Sequence, residues 1–207
     1  HLINYKKNEK ITNLSFYHSK NLPKKHNHIK IKFSNFMIIY NDPRRFGFLK
    51  ILNNKKELKK YFQRSGPEAI SSKFNFKYIK YKFIDKKKNI KNFLLDQNFV
   101  SGIGNIYANE ILFYSKINPL KIAKKLSNKE IGKLAKYSKL VLNLSIKFGG
   151  SSIRDFKNAK GISGLFQNNF KVYDRENKSC VRKNCKGKII KIFISNRSSF
   201  FCKFCQK

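Results

Sequence analysis

All four cysteines of the chain fall within its last 28 residues, as Cys180, Cys185, Cys202 and Cys205. Their spacing is C-x4-C, then sixteen residues, then C-x2-C. Two close pairs of thiolates separated by a hairpin-length spacer are typical of a tetrahedral zinc site. The spacer KGKIIKIFISNRSSFF alternates apolar and polar residues well enough for two strands. Because the segment is too small for a core of its own, we expect a zinc ribbon that one structural zinc ion stabilises.

Two disulfides are the alternative use of these cysteines. The chain shows no secretory signal, and disulfides persist mainly in oxidising compartments. The cysteines are also spaced as ligand pairs. Both observations favour zinc over disulfides.

The chain carries 47 Lys and Arg against 11 Asp and Glu, a formal net charge of +36. Such a field attracts polyanions, with nucleic acid as the first candidate and an anionic membrane surface as the second. The basic residues are mostly Lys among many Asn and Ile, as AT-rich coding produces, so part of the charge is expected to reflect composition. No run approaches 18 apolar residues, so no transmembrane helix is expected.

The first 65 or so residues are rich in strand signals. IKIKF at 29–33 alternates apolar and polar residues, as a half-buried strand does. FMIIY at 36–40 predicts a second strand, and FGFLKIL at 46–52 predicts a third after an Asp-Pro break.

SGPEAISSKF at 65–74 predicts a linker, after which the hydrophobic period becomes helical. NIKNFLLDQ at 89–97 predicts a short helix and NIYANEILFYSK at 105–116 a longer one. Ser127 and Glu130 form a capping box that begins a third helix.

This third helix is expected to run to about Phe148 and to stop at Gly149-Gly150. The stretch at 157–169 has no clear period and predicts a mobile loop. The buried face of the helix is predicted to consist of Ile131, Leu134, Ala135, Val141 and Leu142.

NDPRRFG at 41–47 places two adjacent arginines between an Asp-Pro turn and a phenylalanine. The residues alone indicate a rigid basic turn with an aromatic, in which the arginines pair with Asp42. The other interpretation is a probe for planar and anionic groups, since guanidinium is a planar fork of donors.

Several separate stretches resemble, in the same order, those of one family. HNH at 26–28, NDPRRFG at 41–47, IKNFLLDQNFVSGIGNIYANEILF at 90–113 and the terminal SNRSSFFCKFCQK are similar to stretches of the formamidopyrimidine-DNA glycosylases, bacterial base-excision repair enzymes for oxidised purines. The resemblance covers nearly the whole chain. It implies a multidomain α+β fold with three parts: the C-terminal part of a β-sandwich at 1–66, a helix–two-turn–helix DNA-binding domain with a lesion-recognition loop at 67–169, and a zinc ribbon at 170–207.

The resemblance implies a role for each residue of the double-arginine stretch. A glycosylase takes its target base out of the stack, and the vacated space must be filled. The family fills it with a wedge that includes the arginine and phenylalanine of DPRRFG. This assigns Arg44 to the orphaned cytosine, Phe46 to stacking in the kinked duplex and Arg45 to phosphate.

The resemblance also implies phosphate contacts further along the chain. Two glycines precede Asn105 at a helix start, where backbone N–H groups bind phosphate, and a simple Asn cap is compatible with the same position. Arg197 maps to the ribbon arginine that grips phosphates beside the lesion and donates a proton in δ-elimination. The remaining implied DNA contacts are His26, Lys86 and the lesion-recognition loop GISGLF at 161–166.

Two departures from the family pattern stand out. HLINYK at 1–6 stands where the family usually has HLGMSG, so Asn4 replaces a wedge methionine. We expect poorer filling of the vacated space, with consequences for activity or lesion preference. The first cysteine pair is spaced x4 where many members have x2, which a flexible knuckle tolerates.

The chain starts with His1, and its first residues resemble the interior of a longer protein. We therefore expect a chain without its true N-terminus. In the family the nucleophile is an N-terminal proline that forms a Schiff base, assisted by the glutamate after it. The matching N-terminal segment is absent here, so the chain alone is expected to be inactive.

The function implied for the whole protein is a bifunctional DNA glycosylase and AP lyase that removes 8-oxoguanine and formamidopyrimidines from duplex DNA. The resemblance further implies a monomer in the bacterial cytoplasm, associated with the nucleoid and not with a membrane. Two alternatives stay open: a non-catalytic DNA-binding relative, and an endonuclease VIII-type glycosylase for oxidised pyrimidines. DPRRFG and the NIYANE helix argue against the second.

Overall fold

The computed structural model describes the backbone of residues 2–6, 9–12, 23–151 and 164–207, and the side chains in the last two of these ranges. The chain divides into two compact units. The first unit consists of His1–Lys55 and Ser145–Asn169, and the second of Lys56–Leu144 and Phe170–Lys207. The four cysteines thus share a unit with most of the helices. The three-part division expected from the sequence stays a prediction.

The first unit contains the strands β1 Leu2–Lys6, β2 Glu9–Thr12, β3 Asn27–Lys32 and β4 Met37–Asn41. They form one antiparallel sheet in the order β2-β1-β4-β3. The strands predicted over 29–33 and 36–40 are confirmed as β3 and β4. The turn between them is closed by a 2.9 Å hydrogen bond from the Phe33 N–H to the Phe36 carbonyl.

The backbone of Asn4 pairs with Ile38 of β4 and with Ile11 of β2. The side chain of Asn4, on which its wedge prediction depends, lies outside the described residues.

The prediction of a strand over 46–52 was wrong. Residues 45–53 form neither helix nor strand, and they pair with none of the described strands. Phe46, Phe48 and Ile51 expose 78%, 71% and 80% of their surface. An alternating pattern forms a strand only where a neighbour satisfies its backbone N–H and C=O groups.

Three short helices follow: α1 Lys55–Phe62, α2 Phe76–Phe83 and α3 Ile90–Leu94. Asn75 and Asn89 cap α2 and α3, each accepting a backbone N–H three residues later at 3.0 and 2.9 Å. The predicted linker at 65–74 contains no helix, but it is packed: Ala69 and Phe74 are buried.

The two longer helices are α4 Asn105–Ser115 and α5 Asn128–Lys147. In α4 the predicted inward face is buried at Ala108, Ile111, Leu112 and Ser115. The capping box of α5 is confirmed, since the Ser127 hydroxyl accepts the Glu130 N–H at 3.3 Å and Glu130 Oε2 accepts the Ser127 N–H at 2.8 Å.

The predicted inward face of α5 is buried except at Ala135, which is half-buried. The helix ends at Lys147, and Gly149 and Gly150 follow it with φ angles of 72° and 87° that suit glycine.

The C-terminal segment is a hairpin of β5 Ile189–Ile194 and β6 Arg197–Cys202. Ser195 and Asn196 turn the chain with φ of 48° and 58°, the left-handed geometry of a two-residue hairpin loop. Its core joins α4 to the ribbon through Phe113, Val172, Cys180, Ile189, Phe200 and Cys202. The α+β fold predicted from the sequence is confirmed. Within the described residues, no helix is long and apolar enough to cross a membrane.

Candidate nucleic-acid interface and metal centre

The four cysteines form one cluster whose sulfur atoms all lie within 4.8 Å of one another. Cys180 Sγ and Cys205 Sγ are 3.9 Å apart, and Cys185 Sγ and Cys202 Sγ are 3.6 Å apart. These separations are much longer than the roughly 2.05 Å of a disulfide bond. All four thiols are free, so the cluster can supply four ligands to one metal ion.

Arg182 lies inside the C-x4-C interval and attaches this knuckle to α4. Its guanidinium donates to the Phe113 carbonyl at 2.7 Å and lies 4.5 Å above the centre of the Phe113 ring. The Phe113 carbonyl is among the last of α4, where a cation is favourable. Arg182 therefore anchors the ribbon to the helix.

The double-arginine stretch presents an exposed cation–aromatic pair. The Arg44 guanidinium carbon lies 4.7 Å from the centre of the Phe46 ring, and Phe46 is 78% exposed. Arg45 is exposed as well and has a φ of 53°. The Asp42 carboxylate accepts the backbone N–H groups of both arginines at 3.1 Å. The turn can thus hold its shape while the Arg44 guanidinium faces the ring.

Asn105 and the Arg197 region are brought together at one carbonyl. Asn105 is the first residue of α4, and its side-chain amide donates to the Ser198 carbonyl at 3.0 Å. Ser198 directly follows Arg197 in β6. The cap residue of α4 is Gly104, which has no side chain to accept the first N–H groups of the helix. This edge therefore combines a helix N-terminus with an exposed arginine, two features that favour phosphate.

A buried lysine supports the same carbonyl. Lys91 of α3 has no exposed surface, and its ammonium donates to the Ser198 carbonyl at 2.8 Å and to the Ser199 hydroxyl at 2.5 Å. Burial, followed by the nearby Arg197 charge, lowers the pKa of Lys91 to about 8. In the part of the chain that the structure describes, this ammonium binds the neutral oxygens of Ser198 and Ser199, so an anion near Ser198 would be favoured.

A cleft of about 230 Å³ lies beside Arg197 and is lined by Lys88, Asn92, Leu95, Asp96 and Ser195. Lys88 forms a 3.2 Å ion pair with Asp96 at its edge. Lys86, the lysine singled out from the sequence, is exposed and is not among the residues that line this cleft.

A buried carboxylate fixes the chain at residues 171–173, ahead of the first cysteine pair. Glu110 of α4 accepts the backbone N–H groups of Lys171, Val172 and Tyr173 at 2.9 to 3.0 Å. It has no exposed surface, and this burial raises the pKa of its carboxyl group.

The other predicted contacts lie in the first unit. The His26 carbonyl accepts the Asp42 N–H at 2.9 Å, which places His26 beside the double-arginine stretch. Of the predicted loops at 157–169 and 161–166, only residues 164–169 are described. The Leu165 N–H binds the Phe148 carbonyl at 2.9 Å, and the Phe166 N–H binds the Gly150 carbonyl at 3.0 Å.

The curated relatives settle the family. A formamidopyrimidine-DNA glycosylase of Roseobacter denitrificans is 40% identical over 194 residues, which cover 93% of this chain and 69% of the relative. The chain belongs to the formamidopyrimidine-DNA glycosylase family. The corresponding glycosylase of a Wolbachia strain from Drosophila simulans is 42% identical over 183 residues, 88% of this chain and 66% of the relative. The chain therefore spans about two thirds of the length of these relatives.

The family model and the solved structures agree with this membership. The model of the formamidopyrimidine-DNA glycosylase H2TH domain matches residues 65–157. The Lactococcus lactis Fpg in complex with abasic-site DNA is 33% identical, with a TM-score of 0.80 over the whole chain and 74% of that structure. A variant of the same protein in complex with Fapy-dG DNA is 32% identical, with the same TM-score and the same coverage.

Sequence reasoning missed four residues that shape these sites: Asp42 as a backbone acceptor, Lys91, Glu110 and Arg182. Lys91 and Glu110 stood inside recognised motifs, IKNFLLDQ and NIYANE. A charged residue on the apolar face of a predicted helix is a signal that could have found both.

Proposed function

We propose that the chain is the DNA-recognition part of a base-excision repair glycosylase with AP lyase activity, specific for oxidised purines in duplex DNA. The observation that carries this proposal is family membership together with the two described surfaces, the Arg44–Phe46 pair and the Asn105–Ser198 edge. The solved relatives supply the ligand class, since they hold abasic-site and Fapy-dG DNA.

Each surface has a distinct proposed task. Arg44 hydrogen-bonds the orphaned cytosine, because a guanidinium offers paired donors to a base edge, while Phe46 stacks in the space beside it. Arg45, His26, Lys86 and Asn105 contact phosphates. Arg197 grips phosphates beside the lesion and donates a proton in δ-elimination. Leu165 and Phe166 belong to the loop that covers the extruded base.

The proposed metal is one structural zinc ion held by the four thiolates. A Zn–S bond of about 2.3 Å in a tetrahedron places sulfur atoms about 3.8 Å apart. The 3.6 and 3.9 Å separations in the cluster fit this value. Four protein ligands close the coordination sphere, so zinc stabilises the ribbon and takes no part in bond breaking.

The glycosylase nucleophile is proposed to lie outside the matched residues. The family assigns it to an N-terminal proline followed by glutamate, and this chain spans only 69% of the length of the Roseobacter relative. A second candidate function follows from this observation: damage binding without cleavage. We expect the chain alone to bind lesion duplexes without forming a borohydride-trapped adduct.

A lesion panel tests the proposal. The duplexes contain 8-oxoguanine opposite cytosine, a tetrahydrofuran abasic analogue, an oxidised pyrimidine or no damage. We expect tighter binding to the first two than to undamaged DNA, and no preference for the pyrimidine lesion. Equal affinity for all four would contradict lesion recognition. The reading frame upstream of His1 separates the two candidate functions by whether it encodes Met-Pro-Glu.

A further inference from the structure

The path of residues 43–47 is organised by one carboxylate. Asp42 Oδ1 accepts the N–H groups of Arg44 and Arg45, each at 3.1 Å. Asp42 Oδ2 accepts the Gly47 N–H at 2.7 Å and the Tyr40 hydroxyl at 3.2 Å. Three backbone donors and one side-chain donor thus converge on the two oxygens of Asp42. The strongest of these contacts, that of the Gly47 N–H, lowers the pKa of the Asp42 carboxyl group.

The carboxylate is itself held at the end of β4. The Asp42 N–H donates to the His26 carbonyl, and the Asp42 carbonyl is 2.9 Å from His28 Nε2. A Cβ atom on Gly47 would overlap the Tyr40 hydroxyl and would lie 3.0 Å from Asp42 Oδ2. The close approach of Gly47 therefore requires a glycine, since any side chain would displace the hydroxyl from Asp42.

The organised turn brings Arg44 and Phe46 together. The residue between them, Arg45, has a φ of 53°, a strained conformation for a residue with a side chain. The Asp42 bonds on either side of it, to the N–H groups of Arg45 and Gly47, hold this conformation. With Arg45 so placed, the Arg44 guanidinium lies against the Phe46 ring.

We propose that Asp42 is a positioning residue for lesion recognition, whose carboxylate sets the backbone of residues 43–47 so that Arg44 and Phe46 enter DNA as one preorganised unit. Tyr40 and Gly47 complete this arrangement. The inference rests on the proposed function for its DNA readout, while the ordering of the loop is independent of DNA.

The charge of Asp42 makes the inference testable. A repelling charge and a positioning residue predict opposite changes in lesion affinity when Asp42 is removed. A carboxylate beside a DNA-binding surface repels phosphates, so its removal alone should tighten binding to every duplex. If Asp42 positions the wedge, its removal should instead weaken binding to lesion duplexes, while binding to undamaged DNA stays equal or tightens.

The experiment combines two measurements on Asp42→Ala, Asp42→Asn and the wild type. Amide hydrogen exchange by NMR reports the N–H groups of Arg44, Arg45 and Gly47 without DNA. Titrations with tetrahydrofuran and undamaged duplexes report affinity. Asp174→Asn, an exposed acidic residue with a φ of 56°, is the control for loss of charge.

For Asp42→Ala we expect faster exchange at the three amides and about tenfold weaker lesion binding. This is the loss of affinity expected when one base contact is removed. Asp42→Asn keeps one acceptor oxygen and should fall between Asp42→Ala and the wild type in both measurements. Asp174→Asn should bind lesion DNA as tightly as the wild type or more tightly. Spectra that match the wild type away from the loop establish that each variant is folded.

Unchanged exchange at the three amides in Asp42→Ala would overturn the inference. So would faster exchange with unchanged lesion affinity, since the order of the loop would then not serve recognition. A wild-type chain without lesion preference would refute the proposed function instead, and that result is visible before any variant is compared.

Discussion

The Lys91 ammonium donates a hydrogen bond of 2.8 Å to the Ser198 carbonyl, 107 residues further along the chain. This bond joins α3 to the ribbon hairpin directly beside Arg197. Because Lys91 is buried and Arg197 is also cationic, two positive charges lie close to this carbonyl. A DNA phosphate at this edge would neutralise part of that charge.

The lowered pKa of Lys91 should make the stability of the folded protein depend on pH. Its pKa is lowered from 10.5 to about 8 in the folded protein, so the unfolded chain binds more protons between these values. Stability should therefore rise with pH from about 8 to 10.5, by up to about 3 kcal/mol. Urea unfolding of wild type against Lys91→Met isolates this contribution from the other lysines, and Lys129→Met, at an exposed site, is the control. Parallel pH profiles for wild type and Lys91→Met would contradict the prediction.

The affinity for DNA should respond to pH in the opposite direction. A bound phosphate favours the charged form of Lys91, so binding should weaken as pH rises through about 8. Lys91→Met should bind DNA with less change over the same range. The measurement is the dissociation constant for an undamaged duplex at pH 7 and pH 9, at constant ionic strength.

The alanine variants of Arg44 and Arg197 should change DNA affinity in different ways. Arg44→Ala removes a base contact and should cost about 1–3 kcal/mol of lesion binding, with little change for undamaged DNA. Arg197→Ala removes a phosphate contact, so it should weaken all duplexes and reduce the salt slope by about one. Titrations at several salt concentrations check both, with the exposed Arg64→Ala as the matched control. Identical behaviour of the two variants would refute this division of roles.

The sequence predicted the helices with a clear apolar period and a capping signal, α3, α4 and α5. It missed α1 and α2, which are rich in lysine, because in α2 only Ile79 and Phe83 are buried and α1 buries no side chain. It predicted a strand at 46–52 from local alternation, although pairing depends on neighbours that local pattern does not report.

The candidate site was predictable where chemistry requires a residue type. Four cysteines at ligand spacing indicated the metal cluster without any structure. By contrast, the convergence of Lys91 and Asn105 on Ser198 joins segments more than 90 residues apart, and no local period encodes it. Asp42 was expected to pair with arginine side chains, and the backbone N–H groups that it accepts became evident only from the path of the turn.

Removal of the metal should unfold the ribbon and abolish tight DNA binding. Four thiols whose sulfur atoms all lie within 4.8 Å of one another, with Cys180 and Cys202 buried, depend on a cation to become thiolates together. We expect about one zinc ion released per chain on denaturation, measured with a colorimetric chelator. The chelated protein should lose DNA affinity and recover it when zinc is restored. Unchanged affinity in metal-free protein would rule out the structural role.

Glu110 should contribute strongly to stability because one carboxylate satisfies three backbone N–H groups ahead of the first cysteine pair. Glu110→Ala leaves all three without this acceptor, so we expect a loss of about 3 kcal/mol in the free energy of unfolding by urea. The control is Glu176→Ala, whose exposed carboxylate lies 3.8 Å from Lys191 and should contribute less than about 1 kcal/mol.

The pH dependence of the free energy of unfolding separates the effect of the buried charge of Glu110 from that of its side-chain size. Burial raises the pKa of Glu110 above its usual 4.5, so the folded protein keeps this proton to higher pH than the unfolded chain does. Wild type should therefore lose stability relative to Glu110→Gln as pH rises above about 4.5. Urea unfolding of the two proteins between pH 4 and pH 7 measures this difference. A constant difference across that range would show that the carboxylate titrates alike in both states and would contradict the prediction.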